Sequence, residues 1–498
     1  MRRRWMVAAA SFAAGACFAS GQAPIGAVAA ALIGGALQLM VVLQAQTPRG
    51  AAWSGWMFGT GYFALSLHWI VEPFLVDVAQ HGWMAPFALV FLSTGLALFW
   101  AFAHGLAKWM SRGAVSLAIA WVLFLSVVEL ARAYVFTGFP WGLPAYIWVD
   151  HGLAQSVASI GPYGLTLLTF ALCAAICGAV TQAKQGRLLW SVPVALISGL
   201  ALWMPPPLPQ APDPSAPIIR IVQPNAPQSE KWQADKVQMF FDRGLALTAR
   251  DGDVDLIVWP ETSVPVWLDN AAGAFGAIAN RAGGAPVVLG VQRREDRRFF
   301  NSAVMIEQAQ VTALYDKSHL VPFGEYIPFG DVFSALGIQG LAAREGHGYS
   351  AGAGPSLMDI PGIGTAQPLV CYEGIFPHLV GATSERARLL LLITNDGWFG
   401  NWAGPRQHLV QAQFRAIEQG TPMVRSANTG ISAMIDARGR ITGSLPLNTQ
   451  GALDQPLPTQ RPPTFYAQAG DLPFAIFLAF LVALLGVAPR AMRAFEHR

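Results

Sequence analysis

Long apolar runs separated by short polar loops occupy the first two hundred residues, and one more such run closes the chain. The stretches at 5–20, 25–46, 52–72, 83–107, 115–136, 163–182, 188–204 and 472–488 approach the roughly 20 residues needed to cross a hydrocarbon core, so the pattern predicts a membrane bundle of about eight helices. Between the fifth and sixth runs, residues 137–151 are rich in aromatic, Gly and Pro residues. They contain Gly138-Phe139-Pro140-Trp141-Gly142, a composition suited to the membrane–water boundary. Residues 205–217 hold seven prolines in thirteen positions, which cannot continue a helix and read as a stiff linker. Beyond it the pattern changes to short β-branched or apolar runs at 218–222, 254–259, 286–292, 299–306, 311–315, 367–370 and 389–394. Helical patterns at 230–250, 375–386 and 405–419 separate several of them, and this alternation predicts a layered α/β domain. The expected organisation is a seven-helix membrane domain over 1–204, the linker, a catalytic domain over 218–450, a return linker over 451–471, and a last helix with its tail over 472–498.

Composition supports the membrane reading. Charged residues make up 12% of the chain against about 25% in soluble domains, and apolar residues 53%. The formal net charge of +3 is spread over short groups, which excludes a nucleic-acid stripe. Basic residues fall on one side of the expected bundle: Arg2 to Arg4, Arg49, Lys108 with Arg112, Lys184 with Arg187, and Arg490, Arg493 and Arg498. Glu72, Asp77 and Asp150 fall on the other. Because Lys and Arg are retained on the cytoplasmic side, the α/β domain is expected outside the cytoplasm. The first run, behind three arginines, reads as an uncleaved anchor. Glu129 and Arg132, three apart in the fifth run, share a helix face and are expected to pair.

Of four cysteines, Cys17, Cys173 and Cys177 lie in apolar runs and read as packing residues; disulfides and a metal site are not expected. Cys371 is different, because it ends the strand at 367–370 and precedes Tyr372-Glu373-Gly374. A nucleophile at such a strand end is presented at a sheet edge, where the N–H groups of the following turn can hold an oxyanion. Glu261 ends another strand in Trp259-Pro260-Glu261. Lys317 follows a third in Tyr315-Asp316-Lys317, with Glu325 further along the same loop. A thiol is only slightly ionised near neutral pH, so it needs a base, here Glu261, and a positive group, here Lys317. His319 is read as structural, since Glu261 already supplies the base. Asn395, Asp396 and Trp398 fit either a loop over the site or a tight turn.

The Glu261, Lys317, Cys371 order, with Trp259-Pro260-Glu261, Asp316-Lys317 and Val370-Cys371-Tyr372-Glu373, resembles the nitrilase superfamily. Pro322-Phe323-Gly324-Glu325-Tyr326, Asn395-Asp396-Gly397-Trp398-Phe399 and the flanking helices make the whole chain similar to the bacterial apolipoprotein N-acyltransferases. The resemblance implies an αββα sandwich carrying a Glu–Lys–Cys triad, with Glu325, Tyr372, Glu373 and Trp232 as supporting or substrate-binding residues and Trp232 near the lipid entrance. It implies ping-pong transfer of an acyl chain from a phosphatidylethanolamine-type phospholipid, through a Cys371 thioester, to the α-amino group of a diacylglyceryl-cysteine on a lipoprotein. No cofactor or metal is implied, the protein is expected to act as a monomer, and the expected location is the bacterial inner membrane with the catalytic domain in the periplasm. A membrane-anchored amidase or nitrilase would use the same triad with water as acceptor. A transporter or scaffold is disfavoured by the intact triad and by the scarcity of paired charges in the apolar runs.

Overall fold

The computed structural model describes residues 2–184, 192–208, 213–328 and 348–496. The chain divides into two compact units, one comprising Met1–Phe74, Val78–Pro207 and Gln468–Arg498, the other Leu75–Asp77 with Leu208–Ala467.

The first unit is helical. Each apolar run becomes a helix, at Arg2–Ala19, Val28–Leu43, Pro48–Ser66, Ala85–Met110, Ala114–Arg132, Val157–Lys184, Val192–Trp203 and Leu472–Glu496; residues 188–191 of the seventh expected span lie outside the described residues. Among the described residues, three stretches are long and apolar enough to cross a membrane: Val78–Met110, Ala114–Arg132 and Gly152–Lys184. Arg4–Ala19, Val28–Leu43, Val192–Trp203 and Leu472–Gly486 are apolar but shorter. The helices leave large apolar side chains exposed, among them Phe91, Phe102, Trp109 and Ile476, a surface that water covers poorly. Glu129 and Arg132 form a buried ion pair at 2.6 Å. Trp100 Nε1 donates to Glu129 at 2.8 Å, and Arg132 donates to the carbonyl oxygens of Phe139 and Trp141, tying the aromatic loop down. Cys173 and Cys177 are buried free thiols.

The second unit is two six-stranded sheets. One runs β12-β1-β2-β3-β4-β5 and the other β11-β10-β9-β8-β7-β6. In the first, β1 (Ile218–Gln223), β2 (Leu256–Val258) and β3 (Val287–Glu295) are parallel neighbours, and β4 (Arg298–Glu307) and β5 (Gln310–Asp316) continue as a meander. In the second, β7 (Gly364–Val370), β8 (Leu389–Ile393) and β9 (Met423–Ser426) are parallel. β12 (Gly451–Pro456) and β5 edge the first sheet; β6 (Met358–Ile360) and β11 (Ile441–Leu445) edge the second, with β10 (Ser432–Ile435) between β11 and β9.

Alternation explains the layers. Leu256 and Val258 meet Leu389, Leu391 and Ile393 between the sheets, whereas Ile257 points to the outer face with Val287 and Leu289. Helices Val237–Thr248 and Ala272–Arg281 cover that face through Phe241, Phe275 and Ile278. Helix Ala403–Gln419 covers the opposite face, packing Leu409 and Ala416 on Leu390 and Leu392. Burial on both faces is why β2 and β8 read as continuous apolar runs. The product is an αββα sandwich.

Two expected helices differ. The pattern at 375–386 folds as a 3-10 turn over Cys371–Ile375 followed by turns, because Pro377 removes a backbone donor and Gly381 adopts φ +87°. The pattern at 230–250 becomes helical only at Val237, after successive turns that carry Lys231 and Trp232.

Candidate active site

The sandwich brings several strand ends together. Glu261 lies three residues beyond β2, Lys317 directly follows β5, and Cys371 directly follows β7. In open α/β sheets, ligands are received beyond the carboxyl ends of parallel strands.

Glu261 is buried, with Oε1 accepting from Asn301 Nδ2 at 2.7 Å and Oε2 from the Asn395 N–H at 2.8 Å. One donor comes from β4 and the other from the turn after β8, so both sheets fix the carboxylate. The close turn depends on Gly290 in β3. A Cβ there would stand 2.3 Å from Thr262 N and 2.6 Å from Glu261 Cα. Thr262 itself adopts φ +46°, a conformation that a β-branched residue takes only when its surroundings impose it.

Lys317 is buried and pairs with Glu325, Nζ to Oε1 at 2.9 Å. Glu325 Oε2 accepts the Val321 N–H at 2.8 Å, while Asn301 Nδ2 reaches Glu325 Oε1 at 3.3 Å as well as Glu261. The Lys317 backbone is held on both sides, its N–H by the Asn301 carbonyl and its carbonyl by the Gly352 N–H, each at 2.9 Å.

Cys371 is 5% exposed and has φ +52°, a strained geometry of order 1–3 kcal/mol that the flanking β-strand and 3-10 turn maintain. Glu373 locks this turn. Its Oε2 accepts the Val370 N–H at 2.8 Å; its Oε1 accepts the Tyr315 hydroxyl at 2.6 Å, the Ser318 N–H at 2.7 Å, the Ser318 hydroxyl at 2.8 Å and the His319 N–H at 3.1 Å. Glu373 thereby ties the Cys371 turn to the Lys317 loop.

The charges act on one another. Burial pushes the Cys371 thiol well above its usual range; Glu261 adds to this, and Lys317 and a hydrogen bond with Thr394 oppose it. Burial also raises Glu261, against the pull of Lys317 and with Glu325 reinforcing the rise. Lys317 is raised despite burial, first by Glu325 and then by Cys371 and Glu261. The arrangement favours a neutral Cys371 thiol and a charged Lys317 ammonium.

Tyr372 packs edge-on against Phe376, centroids 4.9 Å apart, and stacks with His319 at 5.8 Å. Trp232 is 37% exposed and lies beside the Lys231 ammonium, 5.2 Å from Nζ to its ring centroid. Both line a small cavity with Pro224, Phe240, Trp259 and Pro260, the last adjoining Glu261. The segment with two readings is a tight turn: Asn395 caps the 3-10 turn Asp396–Trp398, and buried Asp396 accepts from Arg425 and pairs with His408 at 2.9 Å. Sequence reasoning missed Asn301 and the Asn395 N–H as the groups that hold Glu261. Asn301, with Ser302 the polar break inside the apolar run of β4, was the available signal for the first; a backbone donor leaves none.

This fold and strand-end cluster define a carbon–nitrogen hydrolase domain, and residues 218–460 match the carbon-nitrogen hydrolase family. Residues 14–175 match the apolipoprotein N-acyltransferase N-terminal domain. A protein of Rhodopseudomonas palustris named apolipoprotein N-acyltransferase is 37% identical over 462 residues, covering 87% of this chain and 85% of its own. One of the same name from Caulobacter vibrioides is 35% identical over 514 residues, covering 99% and 96%. A solved CN-hydrolase superfamily protein of Xanthomonas campestris is similar over 52% of this chain and 96% of its own at 19% identity, with a TM-score of 0.34. The chain belongs to the apolipoprotein N-acyltransferase family, and its enzymatic class is that of an acyltransferase.

Proposed function

We propose that the protein moves an acyl chain from a phospholipid of the phosphatidylethanolamine type to the α-amino group of the diacylglyceryl-cysteine that begins a lipoprotein, by a ping-pong route through Cys371. The observation that carries this reading is that Glu261, Lys317 and Cys371 are buried at strand ends tied together, Asn301 bridging Glu261 to the Lys317–Glu325 pair and Glu373 joining the Cys371 turn to the Lys317 loop. In the first half-reaction Glu261 takes the Cys371 proton as Sγ attacks the ester carbonyl carbon. Lys317 and the Cys371 or Tyr372 N–H hold the oxyanion, a type of stabilisation worth about 3 kcal/mol per donor. Glu261 then returns the proton to the glycerol oxygen as the C–O bond breaks, leaving a thioester and releasing lysophospholipid. In the second half-reaction the lipoprotein amine attacks the thioester, Glu261 accepts the amine proton and passes it to the departing Sγ, and an amide forms. Glu325 orients and charges Lys317, Glu373 and Tyr372 shape the site, and Trp232 borders the lipid entrance.

The apolar helices support lipid substrates. We assign all eight of them to the membrane, including the runs shorter than a full span, with residues 218–450 in the periplasm of a bacterial inner-membrane protein acting as a monomer. The division into a 1–204 membrane domain, linkers at 205–217 and 451–471, and a final helix belongs to the same proposal. The test is to incubate the detergent-solubilised enzyme with acyl-labelled phospholipid and follow label on the protein. A hydroxylamine-labile adduct that is absent from Cys371→Ser and discharges into an amide on a diacylated lipopeptide is expected. Discharge only into free fatty acid would instead make the protein a membrane-anchored hydrolase.

A further inference from the structure

Glu261 lies between two lysines that differ in their own partners. Lys317 is matched directly by Glu325 at 2.9 Å. Lys231 is not: it is 6% exposed, and among the described residues its ammonium has no carboxylate within salt-bridge distance. Lysine is almost never buried unless paired. The bond that its Nζ does make is to the main-chain carbonyl oxygen of Glu261 at 3.2 Å. Its other neighbour is the Trp232 ring, 5.2 Å away, an attraction that leaves a full positive charge in place. The Glu261 carboxylate receives neutral donors at hydrogen-bond distance, Asn301 Nδ2 and the Asn395 N–H. The charged groups that act on it are, in order of strength, Lys317, Glu325 and Lys231, and the Cys371 thiol and the Tyr349 hydroxyl feel its charge in turn. Lys317 exerts the stronger pull on Glu261 but is itself bonded to Glu325; Lys231 is the second positive charge acting on Glu261, and it has no carboxylate of its own among the described residues.

We infer that Lys231 is a positioning residue for Glu261: its ammonium pins the carbonyl of the strand-end turn and adds, beside Lys317, a second positive charge that favours the ionised carboxylate and its action as a base. This rests on the assignment of Glu261 as the base of the proposed reaction. The sequence explains how the lysine gets there. Residues 227–236 form turns instead of extending the helix that begins at Val237, and those turns carry Lys231 over Pro260 and Glu261. Burial pulls Lys231 itself down to about 8, with Glu261 opposing the fall, so the two groups respond to one another.

The experiment reads Glu261 through Cys371 without needing either lipid substrate. The solubilised full chain is alkylated with iodoacetamide across a pH series, and the rate at Cys371 is followed by peptide mass spectrometry, with Cys371→Ser as the blank for the other thiols. In the wild type, the rate rises as Glu261 ionises. Lys231→Met keeps the aliphatic stem against Trp232 and removes the charge, so the acid limb of this profile moves up by about one pH unit. Lys231→Arg restores it. A folded Lys231→Met protein with an unmoved limb would overturn the inference, as would an Arg variant shifted as far as the Met variant. Should the Met variant not fold, Lys231→Gln is compared with Lys231→Arg under the same criteria. Glu261→Gln separates the two levels of the argument. If it abolishes the acid limb while Lys231→Met leaves it in place, only the role of Lys231 fails; if it leaves the profile unchanged, the base assignment fails and takes this inference with it.

Discussion

Lys317 Nζ lies 2.9 Å from Glu325 Oε1, both side chains are removed from solvent, and Asn301 links the pair to Glu261 through a single amide. A buried ion pair contributes little net stability over a well-packed apolar pair, but breaking it by removing one partner costs about 3–5 kcal/mol, because the other charge remains unmatched. Glu325→Gln should therefore lower the melting temperature and also slow acyl-thioester formation by tenfold or more, since Lys317 loses the partner that fixes its direction. Thermal melting in detergent alongside single-turnover labelling of Cys371 reads both. An unchanged labelling rate would remove Glu325 from the machinery of the site.

Glu373 should behave differently. Its two oxygens accept five hydrogen bonds from Tyr315, Ser318, His319 and Val370, which leaves it to hold the Cys371 turn against the Lys317 loop. In Glu373→Gln an NH2 replaces one acceptor oxygen and faces donors, so about 3 kcal/mol of stability is lost. The expected signature is a lowered melting temperature, with the pH dependence of the surviving activity unchanged. A shifted pH profile would show that the carboxylate charge itself acts on the reaction.

How much of this was legible in the sequence depended on whether a residue announces itself locally. β2 and β8 were visible because burial on both faces makes them unbroken apolar runs. Glu261 and Cys371 were visible because each follows a buried apolar run, and Lys317 because it follows the end of a hairpin strand, β5, which is mostly exposed. β6 and β9 to β12 were missed: β6 is three residues long, β9 contains buried Arg425 and β11 is mostly solvent-facing, so none shows a clean run or alternation. The apolar spacing at 375–386 suggested a helix, but Pro377 and the left-handed backbone of Gly381 override that spacing locally. Lys231 drew no reading of its own from the sequence. Only the tertiary approach of its turn to Pro260 and Glu261 buries it, and no property of residues 227–236 alone reports that.

The elevated proton affinity of Glu261 makes a pH prediction with a definite sign. Burial is the leading cause, with Lys317 opposing it. The carboxyl must be ionised to take the Cys371 proton, so the acid limb of thioester formation should lie above the ordinary glutamate range near pH 4.3. Stability runs the other way. The folded state binds this proton more tightly than the unfolded chain, so the contribution of Glu261 is fully present below the unfolded value and declines as pH rises through the folded one. Glu261→Gln should remove that decline from a melting-temperature series while abolishing turnover. A limb at the ordinary glutamate value would mean that solvent reaches the carboxyl.

The position of the Glu261 main chain can be tested without touching an ionisable group. Gly290 lies in β3, its N–H donating to the Pro260 carbonyl at 3.2 Å and its own carbonyl accepting the Ser263 N–H at 2.9 Å. A methyl group there meets Thr262 N at 2.3 Å and Glu261 Cα at 2.6 Å; both are backbone atoms that cannot rotate aside as a side chain would. Gly290→Ala must push the Glu261 turn away from β3. A displacement on the order of 1 Å at a reacting group costs about 100-fold in rate. Gly273→Ala is the matched control: it sits in helix Ala272–Arg281, its added Cβ meets nothing within 4 Å, and alanine there should raise stability by about 0.5–1 kcal/mol. The expected result is a large loss of thioester formation in Gly290→Ala, with full activity in Gly273→Ala. If Gly290→Ala retains wild-type turnover, the carboxylate tolerates a displaced backbone, and its proton transfer does not depend on the close fit of the strand-end turn.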